Sequence, residues 1–244
     1  MASGILLRVG IDYKDGQWNA PCSTDGRFCY VPVTDGRRSD RGKAFDRHYS
    51  EFAPFVKEMG AQWPAHLSGT CHLDPDFGHL TYGDANGGRG RRIREFLSAG
   101  DFIVFWAGLR CIETDKIICS IIGFYTIAFI MNAAEVGPLD AHRNAHTRYF
   151  QSEEWQDVVV FGRPESSGRL WKHIPIGRAR GKGQQQRVDR ELLRAWGDLE
   201  KADRTIWNDG YIQMSGAPPI FRNPERFLRW FWARKPRLVH TNNV

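Results

Sequence analysis

Residues 100–130 read GDFIVFWAGLRCIETDKIICSIIGFYTIAFI and contain two long apolar runs. Residues 102–107 are apolar or aromatic without interruption, and residues 121–130 are rich in β-branched and aromatic side chains, so each run predicts a buried strand. Gly123 marks a point where the backbone is expected to kink or to approach a neighbour closely. The connector between the runs carries Glu113, Asp115 and Lys116, which predicts an exposed turn. The stretch therefore predicts a central β-hairpin.

The sequence on either side of this hairpin predicts further strands and short helices. Strands are expected at residues 4–9, 27–33, 157–161 and 170–176, and helices at residues 50–60, just before residue 100, at 188–199 and at 223–232. The aromatic side chains of the last helix are expected to cover an open side of the sheet, whereas the polar residues 35–47 are expected to be exposed. The fold class is therefore α+β, with a mixed, mostly antiparallel sheet or a partly closed barrel and with peripheral helices. We expect a single domain over residues 1–244, with a core at 4–176 and a basic loop and helical C-terminal extension at 177–244.

Composition excludes several classes of protein. The chain has 244 residues and a formal net charge of +6, which favours an anionic partner such as DNA or a nucleotide. Five cysteines without a CxxC pair argue against a zinc ribbon or a disulfide framework and are typical of reduced thiols. The N-terminus lacks the pattern of a signal peptide, and the longest apolar run is too short to span a bilayer. We therefore expect a cytoplasmic protein without a membrane partner.

The densest group of candidate catalytic residues is His72, Asp74 and Asp76. One imidazole and two carboxylates can bind a divalent metal or act as an acid–base set. The alternative is a turn in which the aspartates cap their own backbone amides. A metal site here would need a further ligand, such as His142 or His146. These two histidines are four residues apart but lack the adjacent glutamate of a zinc protease, so their spacing alone is a weak signal.

A second group of candidate residues lies at strand ends and would bind substrate. Arg8 and Asp12 lie at the end of the first predicted strand. There the guanidinium of Arg8 can hold a phosphate or a base edge, and Asp12 is a catalytic candidate that can accept from an amine. The alternative is a structural salt bridge between the two. Asp101 either faces the pocket or caps the turn before its strand. Trp106 and Arg110 could stack on and clamp a base, although a tryptophan in a strand is commonly part of the core. The candidate phosphate-binding residues are Arg89, Arg91, Arg92, Arg178, Arg180 and Lys182.

Five motifs occur in a consistent order along the N-terminal half. They are residues 8–12 (RVGID), 25–32 (DGRFCYVP), 72–76 (HLDPD), 100–110 (GDFIVFWAGLR) and 122–123 (IG). This order resembles the prokaryotic and phage nucleotide modification associated domain family, third type, over residues 5–130 and more loosely to residue 161. The hairpin alone is similar to the PUA-like superfamily of EVE, ASCH and YTH modules, which implies a PUA-like barrel and a pocket for a modified base.

The family resemblance implies a role around modified nucleotides and DNA base modification, and it implies no named reaction. Two hypotheses follow. In the first, Arg8, Asp12, His72, Asp74, Asp76 and His146 line one pocket of an enzyme that modifies a base, with a free nucleotide as a further possible substrate. In the second, the same pocket reads a modified base without chemistry, with Trp106 and Arg110 as platform and clamp. The residues identify neither the metal nor a cofactor.

Overall fold

The computed structural model of the chain describes residues 2–12, 16–152, 156–180, 185–201, 210–212 and 218–244. The α+β class is confirmed. The strands are β1 (Gly4–Arg8), β2 (Pro21–Cys22), β3 (Val33–Thr34), β4 (Cys71–His72), β5 (Thr81–Asp84), β6 (Phe102–Cys111), β7 (Ile117–Asn132), β8 (Val158–Gly162), β9 (Gly168–Arg180), β10 (Gln185–Val188), β11 (Leu199–Glu200), β12 (Ile220–Phe221) and β13 (Leu238–Val239). The α-helices are α1 (Ala53–Glu58), α2 (Gly88–Phe96), α3 (Arg190–Trp196) and α4 (Pro224–Trp232). None of these helices combines the length and apolarity needed to cross a membrane.

The predicted hairpin is confirmed as the centre of the sheet. Strands β6 and β7 pair antiparallel from Phe102 opposite Thr126 to Arg110 opposite Ile117, with a bulge between Phe105 and Trp106. Gly123 pairs with Phe105, and the Phe77 ring packs against the Cα of this glycine, where any larger residue would clash. The close approach expected at Gly123 is therefore present.

The remaining strands extend the hairpin on both sides. The main path runs β10-β9-β7-β6-β1-β12-β11, while the far end of β7 pairs with β8 and β8 pairs with β5. Strands β1 and β2 lie parallel to β6, and the other described pairs are antiparallel. The mixed, mostly antiparallel sheet is confirmed, and over the described ranges it is not closed into a barrel. The open sheet is therefore the arrangement present, and the alternative of a partly closed, PUA-like barrel gains no support. The single-domain boundaries remain a prediction.

Because side chains alternate along a strand, β6 contributes to two separate cores. Phe105 belongs to the cluster on one face of the sheet, together with Phe77 and Tyr82. Trp106 belongs to the cluster on the other face, which α3 and α4 cover. The ring of Phe227 in α4 stacks on Phe102, with centroids 5.7 Å apart. The expectation that the C-terminal aromatics cover one side of the sheet is therefore confirmed.

The segment at 35–47 is less exposed than expected, since Ser39, Arg41 and residues 45–47 are half-buried, and it differs most at Asp35. Asp35 is buried, because its carboxylate lies 3.3 Å from Nη2 of the buried Arg148 and also accepts a hydrogen bond from the hydroxyl of Tyr149. A charge buried in this way requires such partners to offset its desolvation. The five cysteines are buried free thiols, as expected.

Two asparagines near the C-terminus form hydrogen bonds with the N-terminal half of the chain. Asn243 is buried; its Oδ1 accepts from the Tyr30 N–H and its Nδ2 donates to the Tyr30 carbonyl, both at 2.8 Å. The neighbouring Asn242 accepts from the Phe77 N–H and donates to Asp76 Oδ1. Asn243 therefore holds the backbone at Tyr30, before β3, and Asn242 holds the turn at residues 76–77, after β4.

We predict that Asn243→Ala destabilises the protein by about 1–3 kcal/mol, because it leaves the buried N–H and C=O of Tyr30 without partners. Urea unfolding followed by tryptophan fluorescence measures the change. Thr241→Ala removes an exposed side chain two residues away and is expected to alter stability by less than about 0.5 kcal/mol. Equal losses in the two variants would contradict this role for Asn243.

Candidate functional site

A cavity of about 460 Å³ opens where β1 ends, beside β4, β5 and the start of α2. Five of the residues that sequence analysis selected line it, and they come from four separate segments of the chain. They are Arg8, His72, Asp74, Arg89 and His146. The pairing of β4 with β3 and of β5 with β8 places these segments together. The sheet therefore gathers polar residues of distant sequence position around one hollow.

His72, Asp74 and His146 form the centre of this cavity, and we call them the triad. The two Nε2 atoms lie 3.1 Å apart, with the imidazole planes nearly perpendicular. Asp74 Oδ2 lies 3.7 Å from His146 Nε2. One nitrogen or oxygen of each residue lies within 4.8 Å of the others, a grouping that can hold a metal ion.

Each imidazole of the triad has a carboxylate behind it. His146 Nδ1 lies 2.7 Å from Asp157 Oδ2, and His72 Nδ1 lies 3.6 Å from Asp35 Oδ2. A carboxylate accepts hydrogen bonds, so it favours the tautomer that carries the proton on Nδ1. This arrangement leaves the Nε2 lone pair of each ring directed at the other members of the triad.

Asp74 is fixed through its other oxygen. Its Oδ1 accepts from the Gly83 N–H at 2.8 Å and from Asn144 Nδ2 at 3.0 Å. Asn144 also accepts from the His146 N–H at 2.9 Å and so starts the 3₁₀ helix Ala145–Arg148 that carries this histidine. The same asparagine therefore positions two members of the triad.

Burial and neighbouring charges shift the pKa values of these groups in opposite directions. Burial lowers the pKa of His72 to about 4 and raises the pKa of Asp74 to about 7. Burial also opposes the charged form of His146, but the hydrogen bond to Asp157 and the charges of Asp74 and Asp157 raise its pKa overall. For Asp35, burial is outweighed by the nearby His72 imidazole and by hydrogen bonds from the Tyr149 hydroxyl and the Arg37 N–H, which hold its pKa well below the usual range. The site thus combines a neutral imidazole with an imidazole that favours positive charge.

Two guanidiniums also line the cavity. Arg8 forms a buried ion pair with Asp12 at 2.7 Å, which is the salt bridge that the sequence offered as an alternative. Asp12 is not among the residues that line the cavity and contacts one of them, Arg8. Arg89 pairs with Asp84 at 2.8 Å, and its Nη1 donates to the Arg8 carbonyl. Both arginines line the cavity while they are held in place by carboxylates.

Several predicted site residues lie elsewhere. Asp76 accepts hydrogen bonds from the Gly78 N–H and from Asn242, and its second oxygen lies 2.8 Å from His79 Nδ1, so it organises a turn outside the cavity lining. Asp101 accepts from the backbone N–H groups of Ser3 and Ser98, which is the capping alternative.

The predicted stacking platform and clamp are also away from the cavity lining. Trp106 has no exposed surface, because the alternation along β6 turns its ring into the core under α3 and α4. Arg110 pairs with Asp115 at the hairpin turn, 2.7 Å away. Neither side chain therefore meets the triad.

The remaining basic candidates are on the surface or outside the described residues. Arg91 is exposed and 3.6 Å from Glu95, Arg92 lies over the Phe96 ring, and Arg178 is exposed on β9. Nothing is described of the Arg180 side chain, and Lys182 lies outside the described residues. His142 is exposed, with its Nδ1 beside the Leu139 carbonyl, and is not part of the triad.

Sequence reasoning missed the residues that hold the triad. These are Asp35, Gly83, Asn144, Arg148 and Asp157. A weak signal existed for Asp157, a charge directly before the apolar run 158–161. The others become functional only through contacts between segments far apart in the chain, such as Asp35 with Arg148 across 113 positions.

Gly83 offers a test of how tightly the triad is packed. An ideal Cβ on Gly83 would lie 2.5 Å from His146 Cδ2 and 2.6 Å from Asn144 Oδ1. We therefore predict that Gly83→Ala destabilises the protein by about 1–3 kcal/mol and displaces His146, measured by urea unfolding and by the histidine signals in NMR spectra. Gly87→Ala, where nothing described lies within 4 Å, is the matched control. Unchanged histidine signals in Gly83→Ala would refute this packing.

Comparison with known proteins adds one finding. No curated protein and no solved structure matches the chain. Among protein families, nucleotide modification associated domain 3 matches residues 3–216, which include every residue of the triad and of its supports. The ordered motifs led to the same assignment. The chain therefore belongs to the nucleotide modification associated domain 3 family and has a role associated with nucleotide modification.

Proposed function

We propose that the chain is an enzyme that modifies a nucleobase, in DNA or in a nucleotide, within the cavity. The observation that carries this proposal is the convergence of the triad and two guanidiniums on one hollow. Family membership supplies the nucleotide-modification role, and the geometry supports a reacting end and a binding end for it. The triad is the reacting end, and Arg8 with Arg89 is the binding end.

The dimensions and polarity of the cavity suit such a substrate. Small-molecule sites commonly enclose about 300–1,000 Å³, and the cavity of about 460 Å³ falls in this range. Its lining carries imidazoles, carboxylates and guanidiniums, so it favours a polar ligand with both donors and acceptors. A nucleotide is such a ligand, because its base carries hydrogen-bond donors and acceptors and its phosphate is an anion.

The two arginines support phosphate recognition. A guanidinium presents several N–H donors in a planar fork that matches phosphate oxygens. Arg89 is partly exposed and lies at the first turn of α2, whose backbone N–H groups also favour an anion. Arg8 is buried and paired with Asp12 at 2.7 Å, which fixes the position of its guanidinium in the cavity wall.

The structure lends more support to an enzyme than to a reader of modified bases. A reader needs an accessible aromatic face on which a base stacks. Trp106 was the candidate platform, but its ring is fully buried. The triad, by contrast, is a group of converging reactive side chains that recognition alone does not require.

The direct test is mass spectrometry of nucleosides and nucleotides from cells that express the chain or its variants. We predict that Asp74→Asn, which keeps the size of the side chain but removes its charge, lowers the yield of the modified product by at least about 100-fold. His142→Ala removes an exposed histidine four residues from His146 and is expected to leave the yield unchanged. If wild type and Asp74→Asn give the same nucleoside profile, the proposed function is wrong.

A binding experiment tests phosphate recognition by Arg89 separately from the reaction at the triad. We predict that Arg89→Ala weakens binding of a nucleoside monophosphate by about 10-fold or more, since a charge-assisted hydrogen bond contributes about 1.5–3 kcal/mol, and changes nucleoside binding much less. Isothermal titration calorimetry measures both affinities. Arg91→Ala, two residues away on the exposed face of α2, is the control and is expected to bind both ligands as wild type does. Equal effects of the two variants would exclude phosphate recognition by Arg89.

A further inference from the structure

We infer that His72, Asp74 and His146 bind one divalent first-row transition-metal ion, with open coordination positions facing the cavity. The inference rests on the proposed function only for the part that the ion plays in the reaction. Binding itself is a property of these three side chains and is measurable without a substrate.

The spacing of the three side chains fits a common ion. Imidazole nitrogens and carboxylate oxygens lie roughly 2.0–2.2 Å from a bound metal, so two ligands of one ion are separated by about 3–4 Å. The two Nε2 atoms are 3.1 Å apart, and His146 Nε2 is 3.7 Å from Asp74 Oδ2. All three atoms lie within 4.8 Å of one another, which small side-chain rotations bring to ligand distances.

The orientation of the imidazoles gives an independent argument. Each Nδ1 faces a carboxylate, Asp157 for His146 and Asp35 for His72, so each Nε2 presents a lone pair. Two lone pairs 3.1 Å apart repel each other in a buried setting unless a cation lies between them. One shared proton would relieve this repulsion for the two rings. That proton would also attract Asp74 Oδ2, which lies 3.7 Å from His146 Nε2, so the metal titration below is what distinguishes a bound ion from a shared proton.

The surroundings of the triad have the arrangement that metal ligands require. A metal-bound histidine typically donates its other N–H to a carboxylate, and a metal-bound carboxylate is itself hydrogen-bonded. Asp157 and Asp35 serve the two histidines, and Asn144 with the Gly83 N–H serves Asp74. Every ligand thus has its outer atom held and its inner atom directed at the same point.

The ligand types indicate the class of metal. Imidazole suits zinc, iron, cobalt and nickel, whereas magnesium and calcium prefer oxygen ligands alone. Three protein ligands are typical of catalytic metal sites, which keep positions open, and closed structural zinc sites use four. The triad lines the cavity, so water or a polar atom of the substrate can occupy the remaining positions.

A second histidine pair nearby provides a matched control. The His79 and His142 rings lie 5.0 Å apart beside Asp76, and His142 is exposed. The Asp76 carboxylate is already occupied by the Gly78 N–H, by Asn242 and by His79. This pair therefore has two imidazoles and an acid close together, but it lacks a third ligand atom directed between the rings.

The test is a titration of the purified full chain, stripped with a chelator, with Co²⁺. Visible absorption reports the ligand field, and equilibrium dialysis with elemental analysis gives the stoichiometry. We expect one Co²⁺ per chain, at least about 100-fold weaker binding in His72→Ala and His146→Ala, and about 10–100-fold weaker binding in Asp157→Asn. The double variant His79→Ala/His142→Ala is expected to bind as wild type does.

Circular dichroism establishes that each variant is folded, and the conservative Asp157→Asn keeps the test valid where a triad variant unfolds. No stoichiometric binding by wild type, or equal binding by wild type, His146→Ala and Asp157→Asn, would overturn the inference. Base modification by metal-stripped protein would overturn the part of the inference that gives the ion a role in the reaction, while leaving the proposed function intact. Stoichiometric, triad-dependent Co²⁺ binding in a chain that changes no nucleoside would instead support the metal site and refute the proposed function.

Discussion

The burial of the β6–β7 hairpin on both faces is the constraint on which the rest of this structure depends. Alternate side chains of β6 enter two cores, so the strand is stable only when a layer covers each face. The helices α3 and α4 cover one face. The other is covered by short strands and loops from the N-terminal half, whose backbone turns and polar side chains leave room for a cavity. The cavity therefore exists because loops and short strands, and not a closely packed layer of helices, cover this second face of the sheet.

Within that layer, buried carboxylates determine where their polar partners lie. Asp35, Asp74 and Asp157 are carboxylates with little exposure, and each is satisfied by a specific set of donors. Because an unpaired buried charge is costly, the partners are tied to these positions as strictly as apolar residues are tied to the core. Arg148 shows the effect clearly, since its guanidinium contacts Asp35 and donates to the Phe45 carbonyl from a fully enclosed position.

The sequence predicted the fold better than the site because the two depend on different kinds of information. The hairpin, the close approach at Gly123 and the capped helix α4 follow from local periodicity and residue type, which a single sequence contains. His72 and Asp74 were found because they are close together in the chain, and His146 because histidine is rare and reactive. Trp106 was placed at the wrong face, since periodicity shows that a strand has two faces but does not show which one borders a cavity. Asp35 was expected in solvent because its partner, Arg148, is 113 positions away.

The asparagine pair Asn242 and Asn243 connects the C-terminal residues to the segment that carries Asp74 of the triad. Asn242 binds the turn at Asp76, two residues from a member of the triad, although it lies beyond the segment that the family match covers. Loss of this asparagine would release the backbone N–H of Phe77 and one donor to Asp76, and so loosen the turn next to Asp74 without touching the triad itself. The geometry of the cavity therefore depends in part on a residue that lies 168 positions away from Asp74 in the sequence.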